Sequence, residues 1–240
     1  GTAGFASPSA KNTPGWVDDF FKLVDNDAYC QSHNDCFDIL IFHSYWTINN
    51  MNSDTNYYKS LMSDYGMNKD LWVTETATSC FVADKESGKP VVVYDEAEHA
   101  RSLIKLLTVA FYNDVEKFFW FTLVGIQPAE PTVFTGWCTS LVVEPFKGSG
   151  DYHIREAYNS TAVLANKVDY FTSVTRITDT QYKFSVNGKN VYVLWCDAGS
   201  CDLPSEIRGR VKVTDYLGNE EIKNANQIIL TNSPIFVEEI

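Results

Sequence analysis

The first 168 residues alternate between strand patterns and helix patterns, and this alternation restricts the possible folds more than any other feature. Strand patterns rich in aromatic, aliphatic and β-branched residues occur at 37–46, 71–78 and 115–124. Amphipathic helical periodicity occurs at 14–26, 53–65, 95–114 and 151–168. With a short strand end at 1–7, this order gives four strand–helix units and predicts a parallel α/β sheet or barrel.

The pattern changes at about residue 169, where short alternating strands replace the helices. These strands are predicted at 174–177, 182–186, 191–195, 211–215 and 227–230. Asn187-Gly188 is a typical hairpin turn between two of them. We therefore expect two domains, an α/β domain at 1–168 and a small antiparallel β-sandwich at 169–240. A structural sandwich and a carbohydrate-binding module both fit the second domain.

Charge and composition exclude several kinds of partner. The formal net charge of −12 opposes binding to nucleic acid or to an anionic membrane surface, because both are negatively charged. The sequence contains no run of eighteen apolar residues, so it predicts no membrane span. Six Trp and thirteen Tyr favour a carbohydrate partner, because exposed aromatic faces stack on the C–H surfaces of sugar rings.

The six cysteines indicate disulfides rather than a metal site. Cys30 and Cys36 bracket one loop, Cys196 and Cys201 bracket a turn, and Cys80 and Cys138 each follow a predicted strand. Such usage predicts an extracellular, secreted protein, or a thermophile protein with intracellular disulfides; six reduced thiols are the alternative. We expect no metal and no cofactor, because there is no Cys-x-x-Cys pair, no His-Glu-x-x-His motif and no glycine-rich phosphate loop.

Glu75 is the leading candidate for a chemical role. It lies at the carboxyl end of the predicted strand 71–78, and the carboxyl ends of the strands form the active face of an α/β barrel. A polar and aromatic cluster, His43-Ser44-Tyr45-Trp46, ends the preceding strand. The structural alternative is a solvated or salt-bridged glutamate at an ordinary strand end.

This ordered set of elements resembles the C-terminal half of a clan A glycoside hydrolase of the xylosidase-like or cellulase-like kind, with its appended β-sandwich. The resemblance makes 1–7 the end of strand five of a (β/α)8 TIM barrel, and 43–46 the end of strand six. Trp72-Val73-Thr74-Glu75 then ends strand seven, and Phe119-Trp120-Phe121 lies on strand eight. The segments 213–218 and 230–237 are similar to the closing strands of such sandwiches. The fold implied is the second half of the barrel, strands 5–8, followed by a small sandwich.

The resemblance implies a retaining glycosidase that acts on β-linked plant-type polysaccharides or oligosaccharides. Glu75 would be its nucleophile, with Tyr45 donating a hydrogen bond to the carboxylate. The residues that the resemblance assigns to substrate binding are His43, Tyr45, Trp46, Trp120 and Trp137. Each of them also has a plain structural alternative, as a core or rim residue.

The chain departs from the family pattern at the acid/base residue. The clan places this glutamate after an asparagine at a strand end, whereas the one Asn-Glu pair here, Asn219-Glu220, lies in a predicted turn. We therefore expect the first four strands, with the acid/base, to come from an N-terminal barrel half, as a separate chain or a cleaved fragment. Pairing of two copies of this chain as half barrels is a further arrangement that the sequence allows. A non-catalytic carbohydrate-binding or scaffold protein on a degenerate barrel is the alternative.

Overall fold

A computed structural model describes residues 5, 15–45, 47–78, 81–83, 90–92, 95–126, 139–144 and 150–240. Their contacts form two compact units. The first contains the described residues of Gly1–Ser79 and Val109–Phe121, and the second those of Cys80–Thr108 and Thr122–Ile240. The predicted domain division between residues 168 and 169 stays a prediction.

Five α-helices and fourteen strands are formed by the described residues. The helices are α1 Trp16–Asn26, α2 Ala28–Ser32, α3 Ile48–Asp64, α4 Glu96–Tyr112 and α5 Glu156–Val168. The strands are β1 Ile39–His43, β2 Asp70–Thr76, β3 Phe81–Ala83, β4 Pro90–Val92, β5 Val115–Trp120, β6 Val124–Ile126, β7 Val142–Glu144, β8 His153–Ile154, β9 Phe171–Thr178, β10 Gln181–Val186, β11 Lys189–Leu194, β12 Arg210–Asp215, β13 Glu220–Asn224 and β14 Ile235–Glu239. A tight turn with left-handed backbone lies at Asn34–Cys36, and a short 3₁₀ helix lies at Ala225–Gln227. No helix in this part of the chain is long and apolar enough to cross a bilayer.

The first unit is built on a parallel sheet with the order β1-β2-β5. Phe5 forms a further parallel bridge to Phe42 of β1, on the side of β1 away from β2. The strands alternate with helices along the chain, as the sequence predicts. Closure of these strands into half of a barrel stays a prediction.

Aromatic side chains form the core of the first unit. Phe5, Phe21, Phe42 and Tyr58 are fully or almost fully buried, and Tyr58 contacts both Phe5 and Phe42. Helix α3 is capped at its start by the Thr47 side chain, which accepts a hydrogen bond from the Asn50 amide at 3.1 Å. These contacts fix α3 against β1.

Gly66 has a positive φ of 67° and follows the end of α3. The left-handed region is open to glycine at little steric cost, which makes it the usual residue just after a helix end. The helix predicted at 53–65 therefore ends within one residue of the predicted position, although it begins earlier, at Ile48.

The second unit contains a six-stranded antiparallel sheet with the order β13-β12-β14-β11-β10-β9. An antiparallel C-terminal region was predicted and is confirmed, whereas a two-layer sandwich stays a prediction. The prediction of a strand at 227–230 is wrong, because Gln227 ends a 3₁₀ helix and residues 228–230 belong to no strand. Asn224 and Gln227 form reciprocal capping hydrogen bonds around the 3₁₀ helix Ala225–Gln227, which ends regular pairing there.

Helix α5 packs on the turn that follows β12. Ser160 donates a hydrogen bond to the Tyr216 carbonyl oxygen at 2.8 Å. Gly218 has φ 94°, and a Cβ at this position would lie 3.1 Å from Val163 Cγ2. A side chain at residue 218 would therefore be strained by its backbone conformation and crowded by the helix.

Two of the three predicted cysteine pairs lie in the described part of the chain, and both are disulfides. Cys30–Cys36 and Cys196–Cys201 have Cα–Cα distances of 4.7 Å and 5.8 Å. Cys80 and Cys138 lie outside the described residues. Among the described side chains, no group of three His, Cys, Asp or Glu residues is arranged to hold a metal ion.

Candidate active site

An extra residue in β2 decides which side chains meet at the carboxyl edge of the parallel sheet. Strand β1 pairs with β2 in regular register from Ile39 with Asp70 to Phe42 with Val73, but the next pair is His43 with Glu75. Pairing with β5 also shifts between Val73 and Thr76. Both neighbours of β2 therefore indicate a bulge around Thr74, which brings Glu75 opposite His43.

Three of the predicted site residues converge on this edge. The Tyr45 hydroxyl donates a hydrogen bond to Glu75 Oε2, and His43 Nδ1 lies 3.4 Å from the same oxygen. The side chains of Glu75 and His43 are 38% and 30% exposed, so the carboxylate is held in place but open to solvent. Burial, followed by the hydrogen bond and the charge of Glu75, raises the pKa of Tyr45 well above its usual range. Tyr45 is therefore a hydrogen-bond donor throughout the neutral range.

A buried carboxylate fixes the segment that carries His43 and Tyr45. Ser44 lies between them, and its hydroxyl donates to Asp54 Oδ2 at 2.8 Å, with both residues buried. The Ser44 amide donates to the Glu75 carbonyl oxygen at 3.1 Å, which ties this segment to β2. Asp54 was not among the residues predicted for the site. Its signal was an acidic residue on the buried face of α3, in helical spacing with Met51 and Tyr58.

Two aromatic residues at the end of β5 lie next to β2, the strand that carries Glu75. Trp120 pairs with Thr76 and is partly buried. The Phe121 amide donates to the Thr76 carbonyl oxygen at 2.9 Å. The Phe121 ring is 41% exposed and makes an edge contact with the Tyr45 ring at a centroid distance of 6.4 Å. Phe121 was not among the predicted binding residues, although it directly follows Trp120.

Trp46 and Trp137, the other two predicted binding residues, lie outside the described residues. Glu144 belongs to the second unit, where its Oε1 accepts a hydrogen bond from the Gly150 amide at 3.2 Å. Among the described residues of the first unit, the site therefore consists of the Glu75 carboxylate, with the Tyr45 phenol and the His43 imidazole against one of its oxygens.

The first unit has parallel strands that alternate with helices, and Glu75 lies at the carboxyl edge of the sheet. This arrangement places the unit in the α/β class of folds, in which active sites are commonly built from strand ends. Residues 1–136 match the family model described as "Glycosyl hydrolase catalytic core", and this match covers more than half of the chain. The chain belongs to that glycosyl hydrolase family.

Solved structures support the same fold at low sequence identity. A glucosidase from Croceicoccus marinus aligns with a TM-score of 0.58 and 10% identity, over 99% of this chain and 59% of its own. A family 39 glycoside hydrolase from Bacteroides cellulosilyticus aligns with a TM-score of 0.57 and 13% identity, over 84% of this chain and 44% of its own. A family 39 β-xylosidase from Caulobacter crescentus aligns with a TM-score of 0.55 and 12% identity, over 97% of this chain and 56% of its own.

These alignments establish two facts about the chain. It spans only about half of the length of each of these three structures. No curated protein matches it by sequence. At such identities the shared property is the fold, which the family match places among glycosyl hydrolases.

Proposed function

We propose that this chain supplies the nucleophile of a retaining glycosidase, and that Glu75 is that nucleophile. The observation that carries the proposal is the arrangement around Glu75 Oε2, which the Tyr45 hydroxyl and His43 Nδ1 both approach at the carboxyl edge of β2. A hydrogen-bond donor stabilises the ionised carboxylate, which is the form that attacks. Partial exposure leaves the carboxylate accessible to a sugar.

In this mechanism a Glu75 oxygen attacks the anomeric carbon while the bond to the leaving oxygen breaks. A second carboxyl group, about 5–5.5 Å from the first in retaining enzymes, gives a proton to the leaving oxygen. The same group later removes a proton from the water that hydrolyses the glycosyl ester. Tyr45 holds the nucleophile in one orientation, and His43 is placed to bind a sugar hydroxyl with its outer ring nitrogen.

The proposed substrate is a β-linked plant-type oligosaccharide or polysaccharide of neutral sugars. The names β-xylosidase and glucosidase, which belong to the similar structures, favour such sugars. The Phe121 ring contacts the Tyr45 ring, and Trp120 pairs with Thr76, the residue after Glu75, so both are candidates for stacking on a sugar. Trp46 and Trp137 are proposed as further stacking residues.

We place the acid/base in an N-terminal barrel half, as a preceding segment, a cleaved fragment or a separate chain. Among the described strands, β5 pairs only with β2, so no described strand covers its other edge. Phe119 on this strand is 49% exposed. An open parallel edge with an exposed aromatic is a surface that a further strand would cover.

Secretion is proposed from the disulfides Cys30–Cys36 and Cys196–Cys201 in the described part of the chain. Disulfides persist in oxidising compartments and are rare in the reducing cytosol. A carbohydrate-degrading enzyme in such a compartment would meet polymeric substrates outside the cell.

Trapping with a 2,4-dinitrophenyl 2-deoxy-2-fluoro glycoside tests the proposal on the chain alone and with any co-purifying chain. The dinitrophenolate leaves without protonation, so the test does not depend on the acid/base residue. The fluorine slows hydrolysis of the glycosyl ester. We expect one fluoroglycosyl group on the peptide that contains Glu75, located by tandem mass spectrometry.

Glu75→Gln should abolish the adduct, because an amide is a poor nucleophile. Glu116→Gln is the matched control, since Glu116 is an exposed carboxylate on β5 that accepts from Trp72 Nε1 at 2.7 Å. This control should label as wild type does. Labelling at another residue, or no labelling with xylosyl, glucosyl and arabinosyl reagents, would contradict the assignment. Sugar binding without labelling would favour a non-catalytic carbohydrate-binding protein.

A further inference from the structure

The loop closed by the Cys30–Cys36 disulfide has an unusual backbone. Asn34, Asp35 and Cys36 have φ values of 54°, 58° and 63°, so three successive residues other than glycine occupy the left-handed region. Each such residue is disfavoured by contact between its Cβ and the backbone. Other interactions must therefore hold the loop in this conformation.

Lys69 supplies those interactions. Its ammonium group donates to the Asn34 carbonyl oxygen and to Asn34 Oδ1, both at 2.8 Å, and lies 3.0 Å from Asp35 Oδ2. The same nitrogen lies 5.3 Å from the centroid of the Phe37 ring. The Lys69 side chain is only 4% exposed, so the ammonium depends on these partners rather than on water.

The contacts of Lys69 with Asn34 and Asp35 form a lysine clamp that joins the starting points of β1 and β2. Lys69 directly precedes Asp70, the first residue of β2. Asn34 Nδ2 donates to Asp38 Oδ1 at 2.7 Å, and Asp38 directly precedes β1. Ile39 and Asp70 are the first pair of the ladder. The clamp therefore acts where the register between the two strands begins.

The same two strands carry the site residues at their other ends. His43 of β1 pairs with Glu75 of β2 after one bulge, and the Ser44 amide donates to the Glu75 carbonyl oxygen. A one-residue slip between strands moves side chains to the opposite face of a sheet. A short ladder with an irregularity near its end has few hydrogen bonds to prevent such a slip.

We propose that Lys69, with the Cys30–Cys36 loop, is a positioning residue that sets the register of β2 on β1 and thereby holds Glu75 against His43 and Tyr45. The catalytic part of this proposal rests on the proposed role of Glu75. The structural part does not, because the register can be measured without substrate.

The matched comparison is between two buried lysines. Lys69→Met removes the cation of the clamp and keeps an unbranched side chain. Lys105→Met does the same in the second unit, where Lys105 is 5% exposed and its ammonium lies 2.8 Å from Asp197 Oδ1. Lys69→Arg, which keeps a cation, is the rescue variant. Asp35→Asn is a milder second variant for the case that Lys69→Met fails to fold.

The first readout is residue-resolved hydrogen exchange. We expect Lys69→Met to raise the exchange rate of the Ser44 amide about tenfold, while the Tyr58 amide in the middle of α3 stays near its wild-type rate, because local opening does not require unfolding of the helix. Lys105→Met should leave Ser44 unchanged. Equal acceleration of Ser44 and Tyr58 would mean general destabilisation and would overturn the proposal.

The second readout is the kinetics of fluoroglycoside trapping. Lys69→Met should lower the maximal rate of labelling about tenfold or more with a nearly unchanged half-saturating concentration, since small misplacements of reacting groups lower rates strongly. Lys69→Arg should recover part of the rate, and Lys105→Met should label as wild type.

The two proposals fail in different ways. If wild type is not labelled at Glu75, the proposed function fails and hydrogen exchange still decides the role of Lys69. If Ser44 exchange and the labelling rate stay within about twofold of wild type in Lys69→Met, or in Asp35→Asn should the former not fold, the positioning role is wrong.

Discussion

His43 lies opposite Glu75 rather than opposite Thr74, because β2 carries one extra residue near its carboxyl end. Side chains alternate between the two faces of a strand, so regular pairing from Leu71 and Val73 would place Glu75 on their buried face. The bulge instead brings the carboxylate to the side of His43. The geometry of the site therefore depends on a local backbone irregularity as much as on residue types.

Tyr45→Phe should lower the trapping rate at Glu75 by about 10- to 100-fold, which is less than the roughly 100- to 1,000-fold cost of removing a donor to a developing oxyanion. The substitution removes the hydroxyl that donates to Glu75 Oε2 and keeps the ring that contacts Phe121. The labelling rate is measured by quenching the reaction at set times and quantifying the adduct by mass spectrometry. Tyr29→Phe is the control, because Tyr29 is 66% exposed on α2 and should be neutral. A rate equal to wild type in Tyr45→Phe would remove Tyr45 from the mechanism.

Each local disulfide closes a loop whose aspartate contacts a buried lysine. Asp35 faces Lys69 in the first unit, and Asp197, inside the Cys196–Cys201 loop, faces Lys105 in the second. Asp197→Ala should lower the free energy of unfolding of the second unit by about 1–2 kcal/mol, a value reduced by the exposure of the carboxylate. Urea unfolding followed by the Trp195 signal measures this change.

When Lys105 is already replaced by Met, adding Asp197→Ala should lower the free energy of unfolding only slightly further. The aspartate stabilises the fold mainly through the lysine ammonium, so the two effects should couple. Additive losses would show that Asp197 acts instead through its Oδ2 contact with Trp195 Nε1 at 3.3 Å.

His99 should make the second unit sensitive to acid. Burial, with a smaller contribution from the charge of Arg155, lowers the pKa of His99 to about 4. The unfolded chain takes up this proton below about pH 6.5 while the folded chain does not, so stability falls as the pH drops from 6.5 towards 4. The loss should reach about 2 kcal/mol at pH 5. His99→Gln should flatten the difference between urea unfolding at pH 7 and at pH 5, and an unchanged difference would contradict this assignment.

Tyr192 should make the same unit sensitive to alkali. Burial first, and then the charge of Glu206, raises the pKa of Tyr192 to about 12. The unfolded phenol loses its proton from about pH 10, whereas the folded phenol keeps it, so stability falls as the pH rises above 10. The expected loss is about 1.4 kcal/mol at pH 11. Thermal unfolding of wild type and Tyr192→Phe between pH 9 and pH 11 checks this slope, which should be shallower in the variant.

Local signals in the sequence predicted the element types well where packing and propensity agree. The helix that ends before Gly66 and the hairpin at Asn187-Gly188 follow from backbone preferences, and the positive φ values of both glycines match them. The strand predicted at 227–230 failed because its apolar residues suggested pairing, while hydrogen bonds between Asn224 and Gln227 turned the chain instead.

The sequence by itself determined the class of the protein, since the order of strand and helix patterns and the position of Glu75 are properties of neighbouring residues. Only the tertiary structure decided which side chains meet that carboxylate. The bulge at Thr74, the buried Ser44–Asp54 hydrogen bond and the contact of Phe121 with Tyr45 join residues that are distant along the chain. Such contacts depend on register and packing, which local preferences do not specify.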